Sequence, residues 1–545
     1  MELLLLLPPW APFSFLGVVL ATLLLLRTVT RRRRRGASSS YNLPPGPRPW
    51  PVIGNLDLVG GALPHRSAHE LSRRHGPLMQ LWLGSLPVVV ASSVDTARFF
   101  LETHDDVDDA APTAAAGDGE RAAYSYRDIA AWSPYGAYWR QPRETRLAAE
   151  LLGAAERLAS SYERVRREEV GELLWGLHAA SGAAVTLRGY LSTTSLNAIT
   201  RMVIGKRYLD VDVEEEVAAC GGGGGGGSGG TAVTTPEELR WMLDELSLLN
   251  GVLNVGAALR WSDWMDLQGY VSRMKKLGKM FDRFLEHVVK EHRRRRRREG
   301  RSFVAEDMVD VLLHIADDPN LGVKLDRESI KALTQDLIVS GTESSAVTIE
   351  WALSELLKRP EAIAKATEEL DHVIGRDRWV MEKDIPRLPY IDAIVKETMR
   401  MHPVAPLLVS RLSHEDTSVG IYDIQKGTRV LINTWSIGRD PALWDVPEEF
   451  QPERFLRSKL DVKGQGHEML SFGLGPQMCP GYTLGLKVIQ MSLANLLHGF
   501  AWRLPHSMSK EELSMEEIFG LSTPRKFPLE VVVEPKLPTH LYAVS

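Results

Sequence analysis

Apolar residues recur at intervals of three and four along most of this chain, which is the spacing of one face of a helix. The spans with this repeat are 150–206, 236–249, 267–292, 326–357, 361–373, 390–401 and 482–497. Alternation of apolar and polar positions is confined to short stretches at 78–90, 428–433 and 529–534, the first with Gly84-Ser85 at a hairpin turn. We therefore predict a mainly α (α+β) body with small β-sheets at one edge.

A long apolar run opens the chain. Residues 3–26 carry no charge, and as a helix they are long enough to cross the roughly 30 Å of membrane hydrocarbon. Arg27 and Arg31–Arg35 follow at once, and the positive-inside rule then places the rest of the chain in the cytosol. We expect residues 1–26 to form one transmembrane anchor. A cleaved signal peptide is the alternative, but the basic residues that precede its apolar region are missing.

Two further segments divide the chain by composition. Residues 27–51 combine the basic stretch with a proline-rich run from Leu43 to Pro51, which predicts a stiff extended hinge. Glycine fills most of 221–230, and such a run predicts a flexible surface loop. No other break is visible, so we treat 52–545 as one domain.

Composition limits the class of protein. With 545 residues, of which 44% are hydrophobic, the chain can bury a large core. Its formal net charge of -5 argues against nucleic acid as a partner, because that affinity depends on basic surface. Only two cysteines are present, so a disulfide framework is excluded.

One of these cysteines lies in a glycine-punctuated segment, FGLGPQMCPG, at residues 472–481. Glycines allow the backbone to approach a flat cofactor closely, and the helix predicted from Tyr482 favours a thiolate at its N-terminus. A lone thiolate cannot complete a zinc site, but it can be the single axial protein ligand of a haem iron. The alternative is a buried free cysteine without a metal.

This segment resembles the haem-binding signature of the cytochromes P450, Phe-x-x-Gly-x-Arg-x-Cys-x-Gly. Phe472, Gly475, Cys479 and Gly481 match it, and Gln477 stands where the family has arginine. The resemblance implies the helix-rich fold of that family and haem b, iron protoporphyrin IX, as the cofactor. It makes Cys479 the axial ligand of the haem iron, with Phe472, Gln477 and Gly481 beside the cofactor.

Haem propionates need cationic or donor partners. Trp139 and Arg143 resemble the Trp-x-x-x-Arg motif with which the family binds a propionate, and Arg411 stands where members usually place another partner. On its own, a Trp and an Arg four residues apart is more often a surface pair.

Oxygen activation also needs protons, and the family supplies them from a helix with the motif Ala/Gly-Gly-x-Asp/Glu-Thr. Residues 340–345, SGTESS, resemble it within the predicted helix at 326–357. By this resemblance Gly341 opens room for oxygen, Glu343 relays protons and Ser344 supplies the hydroxyl. A surface turn rich in serine is the alternative.

A third motif has a structural role. Glu397 and Arg400 lie three residues apart and therefore share one face of a predicted helix. In the family such a pair bonds to the arginine of a later motif, here Arg454 in the sequence PERF. The resemblance implies that these three residues form a network that stabilises the cysteine loop.

The resemblance is strongest to plant microsomal members of the family, which include flavonoid 3'-hydroxylases and related terpenoid-modifying enzymes. It implies a haem-thiolate monooxygenase that inserts one atom of O2 into a small lipophilic flavonoid, phenolic or terpenoid. Because no flavin or dinucleotide motif is visible, electrons from NADPH are expected from a separate NADPH-cytochrome P450 reductase. The expected location is the endoplasmic reticulum membrane, where the anchor contacts lipid and the catalytic domain is cytosolic.

Two other functions stay open at this point. One is a membrane-anchored haem protein whose catalysis is impaired or absent. The other is a haem-thiolate isomerase or dehydratase that acts without a reductase. The acid and hydroxyl of the oxygen motif favour the monooxygenase, because the isomerases and dehydratases need no proton relay.

Overall fold

Helices dominate the computed structural model of the protein. The described residues are 41–59, 61, 63–103, 107–109, 160–208, 234–252, 255–259, 266–317, 325–413, 415–458, 460–462, 468–475, 478–505 and 508–543. The predicted anchor, most of the basic stretch and the glycine-rich segment lie outside them. Among the described residues, none of the helices combines the length and the apolar character that crossing a membrane requires.

Fifteen α-helices are described. They are α1 Leu56–Val59, α2 Pro64–His75, α3 Val94–Arg98, α4 Glu163–Ala179, α5 Leu187–Ile204, α6 Pro236–Gly251, α7 Val255–Ala258, α8 Tyr270–Glu299, α9 Met308–Ala316, α10 Arg327–Leu357, α11 Pro360–Val373, α12 Pro389–Met401, α13 Thr434–Ile437, α14 Glu453–Leu456 and α15 Tyr482–Gly499. Local sequence explains several of their ends. Asp307 and Asp326 accept hydrogen bonds from backbone N–H groups at the starts of α9 and α10, and Thr235 does so for α6.

The strands form three small sheets. They are β1 Leu78–Leu83, β2 Leu86–Ala91, β3 Val107–Asp109, β4 Ala184–Thr186, β5 Arg411–Ser413, β6 Thr417–Val419, β7 Tyr422–Ile424, β8 Arg429–Ile432, β9 Phe500–Arg503 and β10 Glu530–Pro535. Five strands make one sheet in the order β1-β2-β8-β5-β3, three make a second in the order β4-β10-β9, and β6 pairs with β7. The hairpin predicted around Gly84-Ser85 is confirmed, since Leu83 pairs with Leu86 in antiparallel register.

Two boundaries differ from those predicted by periodicity. The helical span predicted over 150–206 is interrupted by β4, where Val185 pairs with Val531 of β10. That pairing joins residues far apart in sequence, so local spacing could not show it. The helix predicted over 267–292 also continues through the arginine run as α8, and Arg295 and Arg296 pair with acidic residues of α9 and its ends.

Helix α10 crosses the whole core. Its first half packs with α5, α6, α8 and α9 around residues such as Ile330 and Ile338. Its second half packs with α4, α11, α12 and α15 around Ile349 and Leu353. Helix α10 is buried over most of its surface, so its apolar residues need not form a single stripe.

Candidate active site

The cysteine loop lies immediately before α15. The Cys479 N–H donates to the carbonyl of Phe472 at 2.8 Å, and Met478 N–H donates to Gly475 at 3.1 Å. Gly475 has φ +75°, and a Cβ there would lie 2.5 Å from the carbonyl oxygen of Leu101, so only glycine fits. The loop therefore has one defined path to the helix.

The thiol of Cys479 is accessible to solvent, yet protein atoms surround it on several sides. This desolvation raises the pKa of the Cys479 thiol, and the backbone N–H of Gly481 opposes the shift by hydrogen bonding to the sulfur. The sequence-based expectation that the helix N-terminus favours the thiolate is thus met only in part. A coordinated metal ion deprotonates a thiol, so Cys479 would hold a haem iron as the thiolate.

The centre of α10 is polar and open to solvent. Ser340 is exposed although the helix on either side of it is buried, and Ser344 lies one turn further on the same face. The Ser344 hydroxyl donates to the carbonyl of Ser340 at 3.0 Å, and the Ser340 hydroxyl donates to that of Asp336. These hydroxyls are satisfied within the helix and lie in a row that a ligand can reach.

Gly341 lies beside Ile199 of α5. A Cβ at this position would lie 2.5 Å from Cδ1 of Ile199 on α5, which is closer than real side-chain contacts allow. The missing side chain of Gly341 therefore permits close packing of α10 on α5. The role expected from the sequence, in which Gly341 opens room for oxygen, stays a prediction.

Glu343 points toward α6. Its Oε2 accepts a hydrogen bond from the Ser247 hydroxyl at 2.8 Å, and both side chains are half-buried. Sequence reasoning missed Ser247, because a single serine in an amphipathic helix carries no motif that marks it. Only the packing of α6 against α10 brings the two residues together.

The structural network expected from the sequence is present. The Arg400 guanidinium donates to both carboxylate oxygens of Glu397, at 2.7 and 2.9 Å, and Arg454 donates to Oε1 of Glu397 at 3.1 Å. Gln451 N–H also donates to Oε1, at 2.7 Å. The Glu397 and Arg400 side chains have no exposed surface. Such a pair is stable only with its remaining polar atoms bonded, and here Arg400 also donates to the carbonyls of Pro447 and Glu449.

Arg411 is buried in β5. Its Nη1 donates to the carbonyl of Phe100 at 2.8 Å, and the strand pairs with β8. Trp139, Arg143 and Gln477 lie outside the described residues, so their expected contacts with the propionates remain predictions.

The described residues include groups that a haem-thiolate protein needs. Cys479 is exposed in a glycine-bracketed loop and could bind iron as a single thiolate ligand. An acid and a hydroxyl, Glu343 and Ser344, are adjacent on α10.

Comparison with known proteins agrees with this assignment. The family model "Cytochrome P450" matches residues 44–529. Trimethyltridecatetraene synthase and dimethylnonatriene synthase of Zea mays are 48% and 47% identical to this chain, and the matches cover 93% and 92% of it and 90% and 93% of those proteins. Flavonoid 3'-monooxygenase of Arabidopsis thaliana is 38% identical, with 97% of this chain and 99% of that protein covered.

A solved structure has the same fold. A zebra fish cytochrome P450 structure with progesterone superposes with a TM-score of 0.71 at 24% identity, and the match covers 87% of this chain and 99% of that one. The chain belongs to the cytochrome P450 family. It is accordingly a haem b enzyme of the monooxygenase class.

Substitution of Gly341 tests its packing role. We expect Gly341→Ala to lower the free energy of unfolding by about 1–3 kcal/mol through overpacking against Ile199, although alanine favours helices over glycine. Chemical denaturation followed by circular dichroism measures the change. Ile199→Ala removes the side chain that the new methyl group would contact. The double variant should therefore lose less free energy of unfolding than the sum of the losses in the two single variants. A Gly341→Ala protein as stable as the parent would contradict this packing role.

The buried carboxylate of Glu397 gives a second test. Glu397→Gln keeps the shape but leaves Arg400 buried without its counter-charge, and we expect a loss of about 3–5 kcal/mol. The fraction of chain that retains haem, measured by absorbance per mole of protein, should fall with it. Glu449→Gln, an exposed carboxylate in the adjoining loop, is the control and should change neither quantity. Equal haem content in both variants would show that the network is dispensable.

Proposed function

We propose that this cytochrome P450 oxidises a small acyclic terpenoid. The observation that carries the proposal is the 47–48% identity to two synthases whose names denote branched acyclic polyenes, against 38–39% to the flavonoid monooxygenases. In the simplest balanced reaction, a C–H bond of the substrate, O2, NADPH and one proton give an alcohol, water and NADP⁺. A separate NADPH-cytochrome P450 reductase supplies the electrons.

Haem b, when bound, supplies the centre at which O2 is reduced and its O–O bond is broken. In our proposal Cys479 holds the iron as a thiolate, and Phe472 and Gly481 shape the loop around it. Arg411 and Arg143 would contribute positive charge near the cofactor, and Trp139 an indole N–H donor. Gln477 would offer a neutral hydrogen bond where the family has arginine. That neutral bond is weaker than a charged one, so the arginines carry most of the propionate binding.

Glu343 and Ser344 are proposed to deliver protons. They are adjacent residues at the open centre of α10, and a carboxylate and a hydroxyl can exchange a proton with water and pass it on. Gly341, two residues before Glu343, is proposed to leave room for oxygen beside these groups.

The same proposal includes a location. Residues 1–26 anchor the chain in the endoplasmic reticulum membrane, residues 27–51 form the basic stretch and hinge, and 52–545 form the cytosolic catalytic domain. The apolar run, the arginines after it and the proline-rich segment support this organisation. An anchored enzyme lies in the membrane into which a lipophilic substrate partitions.

The iron ligand is tested by spectroscopy. The reduced protein with CO should show the absorption band of a haem thiolate, and Cys479→Ser should abolish it, because an alcohol oxygen cannot replace the thiolate donor. Met478→Leu, a neighbouring change that leaves the thiol intact, is the control and should retain the band. A parent protein that folds but lacks the band would instead be a haem protein without monooxygenase chemistry.

The substrate class is tested with three probes in membranes that contain a plant reductase. We expect NADPH-dependent conversion of farnesol, an acyclic terpene alcohol, and not of naringenin or lauric acid. Conversion of naringenin alone would overturn the terpenoid proposal in favour of a flavonoid substrate. Turnover of a lipid hydroperoxide without NADPH would replace the monooxygenase with an isomerase or dehydratase.

A further inference from the structure

Ser247 connects three parts of the structure. It lies on α6, and its hydroxyl donates to Glu343 of α10 at 2.8 Å. Its own carbonyl accepts the N–H of Leu521, in the turn that precedes β10, at 3.3 Å. One residue therefore joins the proposed proton-delivery carboxylate to α6 and to the C-terminal part of the chain.

The C-terminal end of α6 packs against the same turn, at Gly520. A Cβ at Gly251 would lie 2.2 Å from Cα of Gly520, so the two backbones touch and no side chain separates them. The C-terminal end of α6 therefore packs directly against the backbone at Gly520, one turn beyond Ser247.

A second carboxylate lies near this bond. Asp244 precedes Ser247 by nearly one turn of α6, and desolvation together with the charge of Glu343 raises the pKa of Asp244, while Arg240 opposes that shift. Two carboxylates and a hydroxyl therefore occupy the contact between α6 and α10. Asp244 is accessible to solvent, whereas Glu343 is half-buried.

The partner of Glu343 has a chemical consequence. A carboxylate that moves protons must keep a fixed orientation and must still be able to bind and release a proton. A lysine or arginine partner would fix the orientation but would hold the group strongly ionised. The serine hydroxyl binds Oε2 at a defined distance without adding a positive charge.

We propose that Ser247 is a positioning residue that orients Glu343 for proton delivery, and that it does so from a helix held in place by the Gly251–Gly520 contact. The proposal rests on the proposed function, in which Glu343 relays protons. It adds to that function a residue outside α10, and it makes proton delivery depend on how α6 packs against the loop around Gly520.

A double-mutant cycle tests the link. The full-length enzyme is assayed with reductase, first without substrate and then with farnesol. The assay without substrate is informative because the reduction of O2 by NADPH to hydrogen peroxide already consumes protons. We expect Ser247→Ala and Glu343→Gln each to lower the rate of NADPH-driven O2 consumption about five- to twentyfold. The Ser247→Ala/Glu343→Gln double variant should be no slower than Glu343→Gln alone, since Ser247 acts through Glu343.

Two controls separate positioning from a general structural effect. Ser247→Thr keeps the hydroxyl and should restore most of the rate. Asn250→Ala, on the same helix with its side chain bonded to the carbonyl of Leu246, should leave the rate unchanged. The CO band and the thermal midpoint should be the same in all variants, and the solvent deuterium isotope effect should rise in Ser247→Ala as proton transfer becomes slower.

The outcomes distinguish the two proposals. If Glu343→Gln has the parent rate, the proton relay itself is wrong and the role of Ser247 fails with it. If Glu343→Gln is slow but Ser247→Ala has the parent rate, only the positioning role is overturned. Rate losses that multiply in the double variant would also overturn the positioning role, because Ser247 would then act independently of Glu343. A lower thermal midpoint in Ser247→Ala would overturn it too, because the residue would then have a general structural effect.

Discussion

The burial of one long helix is the constraint on which the rest of the structure depends. Helix α10 runs between the two main apolar clusters and is packed by other helices at both of its ends. Its centre, around Ser340 and Ser344, is the part that stays open. Apolar packing at the ends supplies the stability that allows polar residues to remain accessible at the centre. The catalytic groups that we propose are held by contacts made elsewhere on the same helix.

The carboxylates of Glu397 and Glu343 have hydrogen-bond partners of different charge, which suit them to different roles. Glu397 is enclosed and bonds to the guanidinium groups of Arg400 and Arg454, which hold its carboxylate in place. Glu343 has a neutral serine hydroxyl instead. Charged partners suit a residue that must hold a loop in place, and a neutral partner suits one that must gain and lose a proton.

Much of the fold was predictable because its elements are long and strongly periodic. Helices α6, α10, α11 and α12 begin and end within a few residues of the predicted spans, and the β1–β2 hairpin follows from its turn and alternation. One error arose where distant segments meet. Val185 pairs with Val531 inside a span that was predicted to be helical. The contact between Ile199 and Gly341 was not predicted either. Neither contact can be read from local sequence spacing.

The sequence by itself determined the family, the cysteine that we expect to bind iron, and the groups of the oxygen motif, because these depend on residue types at short spacings. It also indicated the network of Glu397, Arg400 and Arg454, which the structure brings into contact. Only the tertiary structure showed that Gly341 lies against Ile199 and that Ser247 bonds to Glu343. Those facts depend on how α5 and α6 pack on α10, and the relative placement of helices is set by the whole core.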